Sequence, residues 1–334
     1  MENIQKLKQK VYDILNNNRC NDDNKDKATH LSYGKFWGKF ILEKEQRKKL
    51  MECYSDAVEN GVNDFSILET QKEYGPLIID IDLEILKEDY DEGRLYDNDM
   101  VLYIVNEYNK YLQEFLNVSN IDYKVCLLEK DNPTEKDSVY KDGFHVMFPD
   151  LVVEKKIRHL IRDKVVKQCE IDNIFESFSN TPDKIIDKAV VSSNSWFLYG
   201  GKKPNGNSYK LSKMYDKDMN VYYDHENDEN ESDTTIINYL SVQSSRFSNK
   251  KSTPLSDNYN LSEAENKPDF SKVKSDVIPS TKLNYDLLEE LSDEFHNGYE
   301  NWRNMCFFMK NLNYPYEDFL NYQKVKLLLQ KKIV

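Results

Sequence analysis

YGPLIIDIDLE, residues 74–84, is the stretch that decides the fold. An apolar run begins at Leu77 and leads directly into Asp80 and Asp82, which stand one residue apart. The run predicts a buried strand, and alternation along a strand places residues i and i+2 on the same face. A carboxylate at the end of a buried strand must be solvated, paired with a cation or bound to a metal. The segment alone leaves these three states open.

The aspartate pair also leaves its chemistry open. Two carboxylates on one strand face can share a divalent cation or bridge two, and hard oxygen ligands suit Mg²⁺ or Mn²⁺. Aspartates at a strand end also begin turns or cap the next helix, which is a purely structural role. A hydrophobic run followed by Asp-x-Asp also occurs in phosphatases that form an aspartyl-phosphate and in sugar-nucleotide transferases. Further residues are needed to choose among these interpretations.

The composition bounds the class of protein. The chain has 334 residues, which predicts two domains or one large domain with an appendage. Hydrophobic residues make up 39% and aromatic residues 12%, so a packed core is expected rather than global disorder. The net charge of −13 has the wrong sign for binding nucleic acid through a broad basic surface, although it is compatible with a local basic groove.

The cysteines and the hydropathy pattern indicate an intracellular protein. The five cysteines are scattered and never form a Cys-x-x-Cys pair, so neither a zinc site nor a disulfide framework is predicted, and a reducing compartment fits best. No apolar run is long enough to span a bilayer, and residues 1–15 have the pattern of an amphipathic helix rather than a signal peptide. We therefore expect no membrane partner.

Hydrophobic periodicity predicts an α/β or α+β fold. Helices are expected at residues 2–16, 44–60, 98–116 and 154–175. Strands are expected at residues 33–42 (a short strand or hairpin), 77–82, 123–130, 143–153, 183–191, 195–203, 207–216 and 219–225. The strands at 123–130 and 143–153 should pair as a hairpin around the polar loop between them.

A second polar cluster enters the strand at 143–153. Lys141, Gly143 and His145 are spaced i, i+2 and i+4, so they line one face, whereas Phe144 and Val146 point into the core on the other. A cation, a residue without a side chain and an imidazole together offer donors and space for a phosphate group. A single histidine is more often structural, but this combination favours phosphate binding.

A third set of residues follows farther along the chain. Asp187 comes after an apolar pair, and Lys202 and Lys203 lie in a Gly/Pro/Asn turn after an aromatic strand. Read alone, this segment is a hairpin with a basic tip. Together with the first two features it gives carboxylates, lysines and a histidine, the groups used for phosphoryl transfer from a nucleotide. Two metal ions would then be held by Asp80, Asp82 and Asp187.

The order of the three features resembles the motifs of the archaeo-eukaryotic primase superfamily. The segments that carry the resemblance are LIIDIDLE at 77–84, KDGFHVMFP at 141–149, IIDKAVV at 185–191 and WFLYGGKK at 196–203. Within the superfamily, residues 30–250 look most like the N-terminal primase domain of the helicase-primases of poxviruses and other nucleocytoplasmic large DNA viruses. The resemblance implies a mixed or antiparallel, RRM-like sheet flanked by helices, with a small helical module after it.

The same resemblance implies a metal site. Asp80 and Asp82 would be metal ligands, and Asp187 would be the third acidic ligand, so these three would be the catalytic residues. The cofactors would be two ions of Mg²⁺ or Mn²⁺.

A nucleotide site is also implied. His145 would contact the phosphates of the incoming nucleotide, with Lys141, Gly143 and Lys202 around it. Two departures from the family pattern concern this site. Gly143 stands where many members have serine, so a hydroxyl contact is absent, and the arginine that relatives often carry near residues 192–199 is missing. Both departures affect how the nucleotide is held and leave the metal site unchanged.

Four regions are predicted along the chain. They are an N-terminal helix and polar segment at 1–30, the primase catalytic domain at 31–247, a flexible linker at 248–282 and an incomplete helical module at 283–334. The sequence has no Gly-x₄-Gly-Lys-Ser/Thr motif, so it is not itself a helicase motor. We expect it to be a piece of a longer protein, or a truncated one.

The implied function is that of a viral DNA primase. Such a nucleotidyltransferase makes primers from nucleoside triphosphates on single-stranded DNA, and a superfamily 3 helicase, in the same chain or a separate subunit, would be its partner. The expected location is the cytoplasmic viral factory of an infected cell. A non-catalytic arm that docks DNA or partner subunits is the alternative, and the acidic net charge favours it. Another Asp-x-Asp enzyme would leave His145 and Asp187 without a role.

Overall fold

The aspartate segment lies in one of two long, paired strands of the larger β-sheet. The computed structural model describes residues 2–204, 206–227 and 233–256, which fall within a unit spanning residues 1–259. The predicted helical module at 283–334 and most of the predicted linker lie outside the described residues. The four predicted region boundaries therefore stay predictions.

The strands and helices follow one another along the chain as follows. The strands are β1 (His30–Ser32), β2 (Gly38–Phe40), β3 (Ile67–Glu69), β4 (Tyr74–Leu86), β5 (Val125–Glu129), β6 (Thr134–Lys136), β7 (Val139–Glu154), β8 (Trp196–Phe197), β9 (Lys210–Tyr215) and β10 (Val221–Asp224). The helices are α1 (Glu2–Asn16), α2 (Lys44–Glu59), α3 (Asn98–Phe115), α4 (Lys155–Ile171), α5 (Pro182–Ile185), α6 (Ala189–Ser192) and α7 (Asp233–Tyr239). Single turns of 3₁₀ helix lie at Lys25–Lys27, Gly34–Phe36, Lys87–Asp89 and Asn249–Lys251.

The described strands form two antiparallel sheets. The larger has the order β10-β9-β5-β7-β4, with β6 paired to β7, and the smaller has the order β2-β1-β3-β8. Within each sheet, every pair of neighbouring strands is antiparallel. The predicted fold class, a mixed α/β (α+β) architecture with an antiparallel sheet flanked by helices, is confirmed.

Alternation along β4 and β7 creates two different faces. On one face, the apolar side chains of Ile79, Ile81, Phe144 and Val146 are buried in a core shared with α3 and α4. Burying a side chain of this size is worth about 1.5–3 kcal/mol, which fixes the register of the strands. The predicted direction of Phe144 and Val146 is therefore confirmed.

The opposite face of the larger sheet carries a smaller core and the polar residues of interest. Ile78, Met147 and Met214 are buried there beside Trp196 of β8, which belongs to the other sheet. A third core joins α1, α2 and the smaller sheet. The two sheets therefore meet beside the polar residues of β4 and β7.

Most predicted elements are present, but the strand predicted at 183–191 is wrong. This segment forms the short helices α5 and α6, and only Ile186 between them makes a β-bridge, with Ile81. The reason is local, because the Asp187 carboxylate accepts a hydrogen bond from Ala189 N at 2.8 Å and so caps the turn that begins α6. The hairpin predicted from β5 and β7 is confirmed, and it contains the additional strand β6.

The described part of the chain contains four of the five cysteines. Cys20, Cys53, Cys126 and Cys169 are not joined in disulfides, and Cys306 lies outside the described residues. None of the helices in the described ranges is both long and apolar enough to cross a membrane.

Candidate active site

The site is built on a ladder of polar pairs across β4 and β7. The register places Asp80 opposite His145, Asp82 opposite Gly143, and Glu84 opposite Lys141. These residues share the face that does not pack against α3 and α4. The structure therefore brings together two motifs that lie about 60 residues apart in the sequence.

Asp80 is the most enclosed carboxylate of this ladder. Its side chain is 16% exposed, and His145 Nε2 lies 3.2 Å from its Oδ1. Oδ1 is buried, and His145 Nε2 is its close polar neighbour, although the geometry of this contact is poor for a hydrogen bond. Burial raises the pKa of Asp80, but His145, Lys130 and Lys203 outweigh it and hold the pKa below its ordinary value. Asp80 is thus an anion that is enclosed by the protein and has His145 as its close polar neighbour.

Asp82 is under the opposite electrostatic influence. Protein atoms crowded around its carboxyl group and the negative charge of Asp80 raise its pKa to about 6. The residue as a whole is exposed to solvent, so a cation can reach it. Two carboxylates whose pKa values are pushed apart store repulsion that a divalent cation would relieve.

His145 sits between two aromatic rings. Its ring centroid lies 3.4 Å from that of Tyr209, nearly parallel to it, and 4.4 Å from that of Trp196. These contacts fix the imidazole beside Asp80. Burial, followed by the charges of Asp80 and Asp82, raises the pKa of Tyr209, so its phenol stays protonated and can donate a hydrogen bond.

Two lysines supply positive charge to the aspartates. Lys130 follows β5 and is half-buried, with its Nζ 4.3 Å from the centroid of the Tyr209 ring, and burial lowers its pKa. Lys203 is exposed, and its charge helps to lower the pKa of Asp80. Sequence reasoning missed Lys130, Tyr209 and Trp196 as site residues, because each comes from a strand end whose neighbours only the sheet register reveals.

Lys202, which was predicted to contact the nucleotide, has a visible structural role through its backbone. Its N–H donates to Phe65 O at 2.8 Å, and its carbonyl accepts from Ser66 Oγ at 2.6 Å. The neighbouring Lys203 is the residue whose charge reaches the aspartate pair. The predicted role of the Lys202 side chain remains a prediction.

Lys141 and Gly143 have different local constraints. Lys141 Nζ forms an ion pair with Glu84, directly across the ladder. Gly143 has a φ of +156°, and a Cβ on it would lie 1.8 Å from Ile81 O. Serine, which many members of the superfamily carry there, does not fit this backbone, so the glycine follows from the close approach of β7 to β4.

Asp187 is brought next to the pair by its backbone. Its N–H donates to Asp80 O at 3.0 Å, but its carboxylate accepts from Ala189 N at 2.8 Å and from Asn194 Nδ2 at 3.3 Å. Within the described ranges, no three carboxylate, imidazole or thiol side chains are grouped so that they could hold a metal together. The enclosed Asp80 carboxylate and the raised pKa of Asp82 fit a hard divalent cation, whereas Asp187 as a third ligand remains a prediction.

Comparison with known protein families identifies the domain. Residues 29–215, more than half of the chain, match the family described as the C962R protein N-terminal AEP domain, where AEP denotes the archaeo-eukaryotic primases. The chain belongs to this family. The matched range contains the whole polar ladder, Asp187 and both lysines of the 202–203 turn.

Three viral proteins are similar to this AEP domain. "Putative helicase L207/L206" of Acanthamoeba polyphaga mimivirus is 28% identical over 239 residues, which cover 69% of the chain and 24% of that protein. "Putative helicase 184R" of Invertebrate iridescent virus 6 is 30% identical over 212 residues, covering 56% of the chain and 21% of that protein. "Putative helicase 121R" of Invertebrate iridescent virus 3 is 26% identical over 202 residues, covering 56% and 21%.

The chain spans only about a quarter or less of the length of these curated relatives. The match of the AEP domain, together with relatives named helicases from large DNA viruses, fits the N-terminal primase domain of a viral helicase-primase. The family match also favours a primase-type site over the two other interpretations of the Asp-x-Asp pair, an aspartyl-phosphate phosphatase and a sugar-nucleotide transferase.

Proposed function

We propose that this domain is a DNA primase, a nucleotidyltransferase that makes primers on single-stranded DNA. The observation that carries the proposal is the pair of carboxylates of Asp80 and Asp82 on one strand face, with opposite pKa shifts and with His145 beside Asp80, in an AEP domain. The primer 3′-hydroxyl oxygen would attack the α-phosphorus of a nucleoside triphosphate, forming a new phosphodiester bond and releasing pyrophosphate.

The residues of the site would divide this work. Asp80 and Asp82 would hold the divalent cations, Mg²⁺ or Mn²⁺, which neutralise the triphosphate and activate the attacking hydroxyl when bound. His145, held between Tyr209 and Trp196, would donate from its ring to a phosphate oxygen. Two ions, with Asp187 as a further ligand, are part of this proposal.

Positive charge and open space would receive the triphosphate. Lys130 and Lys203 already act electrostatically on the aspartate pair, so they lie where the anionic phosphates would gather. Gly143, opposite Asp82, leaves this part of the face free of a side chain. Lys141 would contact a phosphate only by leaving Glu84, so we assign it a smaller part in nucleotide binding.

A template-dependent primer assay tests the proposal. We expect synthesis by the full 334-residue chain with Mg²⁺ or Mn²⁺, and loss of at least 100-fold in the Asp80→Ala and Asp82→Ala variants, because metal ligands act directly on the reacting groups. Asp131→Ala is the matched control, since Asp131 is an exposed carboxylate whose partner is Lys210. Normal synthesis by either site variant would contradict the proposal.

A non-catalytic docking arm is the second candidate. It is favoured by the net charge of −13 and by the lack, among the described residues, of a ready-made group of three metal-binding side chains. The two candidates differ in ligand response, because a ligand of the folded state raises its apparent stability. A rise in Tm with Mn²⁺ and nucleoside triphosphate supports the primase, and no response to either supports the docking arm.

The partner and the location are proposed on the same basis. The similar proteins are named helicases and are several times longer than the aligned region, so we propose that this domain works with a viral superfamily 3 helicase in the same chain or in a separate subunit. The cytoplasmic viral factory is the proposed location. Co-purification of the domain with the helicase from infected cells tests the partnership.

A further inference from the structure

Two large aromatic side chains are exposed at the tip of the hairpin formed by β1 and β2. Trp37 is 68% exposed and Tyr33 is 41% exposed. Aromatic residues carry much of the energy of buried cores and interfaces, so exposed rings on a rigid turn point to a binding surface. We call Tyr33 and Trp37 the aromatic tip.

The turn that carries the aromatic tip is held firmly. Phe36 lies between the two exposed residues and stacks on Tyr12, with ring centroids 4.2 Å apart. Arg19 Nη1 donates to Trp37 O at 2.9 Å, and Gly34 has a φ of +73°, which favours glycine. A ligand that bound the two rings would therefore lose little entropy in ordering the turn.

The aromatic tip adjoins the loop that reaches the candidate active site. A Cβ on Gly34 would lie 3.5 Å from Pro204, which follows Lys203 directly. Tyr33 N donates to Ser66 O at 2.9 Å, and Ser66 Oγ donates to the carbonyl of Lys202. The tip and the two lysines of this loop therefore form one continuous edge beside the aspartate pair.

This edge is basic in a strongly acidic protein. Residues 28–42 and 188–215 contain no aspartate or glutamate, and the segment that meets the turn at Pro204 carries Lys202 and Lys203. The chain as a whole has a net charge of −13. A local absence of acids is what a polyanion needs in order to approach such a protein.

We propose that the aromatic tip is a stacking platform for the bases of single-stranded DNA, whose phosphates lie along the lysines of the 202–203 loop. Two lysines beside two exposed rings match the two components of such sites, a positive track and aromatic faces. Paired bases offer no free face to a ring, so duplex DNA fits less well. The inference rests on the proposed function in one respect, since the bound strand would be the template.

Fluorescence anisotropy with a labelled oligothymidylate tests the platform. Binding is measured with the full chain in EDTA and without nucleotide, so that it is independent of catalysis. We expect Trp37→Ala and Tyr33→Ala each to weaken binding on the order of tenfold, and Trp37→Phe to retain most of it. Tyr222→Ala is the matched control, because Tyr222 is 61% exposed on β10, at the far edge of the larger sheet, and its loss should leave binding unchanged.

Three results would overturn the platform. They are no measurable binding by the unmodified chain, equal affinity of the Trp37→Ala and Tyr222→Ala variants, and a change of oligomeric state in Trp37→Ala with unchanged DNA affinity. The last result would indicate a surface for protein partners instead. A loss of binding in Trp37→Ala counts for the platform only if the Tm of this variant stays within about 3 °C of the parent, and Tyr33→Ala decides under the same condition where it does not.

Tryptophan fluorescence gives a second measurement. The measurement uses a Trp302→Phe parent, so that Trp37 and Trp196 are the tryptophans that emit. The DNA should shield Trp37 from iodide quenching in this parent, and the protection should be missing when Trp37→Phe is added, because Trp196 is only 7% exposed. Equal protection in both proteins would contradict the platform.

The proposed catalysis and the platform can be tested separately. If the chain makes no primers but its DNA binding depends on Trp37, the proposed catalysis is wrong and the platform is supported. If the chain makes primers and Trp37→Ala needs no higher template concentration than the parent, the platform is wrong and the catalysis is supported.

Discussion

Replacing Asp82 by asparagine should stabilise the metal-free domain. The side chain keeps its size but loses the negative charge that faces Asp80, and it is this charge, together with crowding, that raises the pKa of Asp82. Residues that bind a cation often reduce the stability of the fold when the cation is absent, because their negative charges then repel each other. The same substitution should remove the stabilising effect of Mg²⁺ or Mn²⁺.

The size of the effect follows from the pKa. A rise from 3.8 to about 6 corresponds to about 3 kcal/mol at most, at 1.36 kcal/mol for each pKa unit. Asp82 is exposed, so solvent screening reduces this to roughly 1 kcal/mol. For a domain of this size, that corresponds to a gain of about 2–4 °C in Tm.

The stability gained by Asp82→Asn should depend on pH. Because the folded state holds the Asp82 proton more tightly than the unfolded state, the penalty is absent below about pH 4 and fully present above about pH 6. The advantage of Asp82→Asn should therefore be complete at pH 7.5 and vanish near pH 4. A divalent ion at ten times its Kd adds about 1.4 kcal/mol to the parent and little to the variant.

Thermal unfolding in EDTA and in Mn²⁺, at pH 4.5 and pH 7.5, measures all of these differences. Asp131→Asn is the control, because Asp131 lies beside a lysine rather than a carboxylate and should gain nothing. A Tm for Asp82→Asn equal to or below that of the parent in EDTA at pH 7.5 would refute the electrostatic reasoning. An equal response of parent and variant to Mn²⁺ would refute the assignment of Asp82 as a ligand.

Three further predictions concern the nucleotide side of the site. His145→Ala should raise the KM for nucleoside triphosphate about 10- to 100-fold through loss of a charge-assisted hydrogen bond, and an unchanged KM in the primer assay would count against its role. Gly143→Ser should destabilise the domain by roughly 1–3 kcal/mol in urea unfolding, because its Cβ would meet Ile81 O, and an unchanged midpoint would show that the strands can separate there. Lys203→Ala should raise the same KM about 2- to 5-fold and Lys202→Ala should not, so equal effects would reject the distinction between the two lysines.

Sequence patterns predicted correctly those parts of the fold in which the alternation of apolar and polar residues matches the buried and exposed faces of a strand. The apolar residues of β4 alternate with Asp80 and Asp82, and those of β7 alternate with His145, so each strand and its inward face could be predicted separately. The segment around Asp187 misled the same reasoning. Its apolar pair resembles a strand, but the aspartate carboxylate caps the next turn, and that competition is invisible in a hydrophobic pattern.

The composition of the site depends on register, which no single strand reveals. Once Asp80 is placed opposite His145, the antiparallel ladder puts Glu84 opposite Lys141, so the predicted phosphate ligand already has an anionic partner. Lys130 enters the site because β5 pairs with β7 and ends beside it. These residues were missed because cross-strand neighbours are set by long-range pairing rather than by spacing along the chain.

The enclosure of His145 shows how two sheets together build one site. Trp196 belongs to the smaller sheet, through its pairing with Glu69, and Tyr209 directly precedes β9 of the larger sheet, yet both rings pack on the same imidazole. The segment between them contains Lys203 and contacts the β1–β2 turn at Gly34. Lys203 in this segment acts on the aspartate pair through its charge, and Pro204 lies next to the turn, so the proposed DNA platform and the proposed metal-binding face lie beside the same loop.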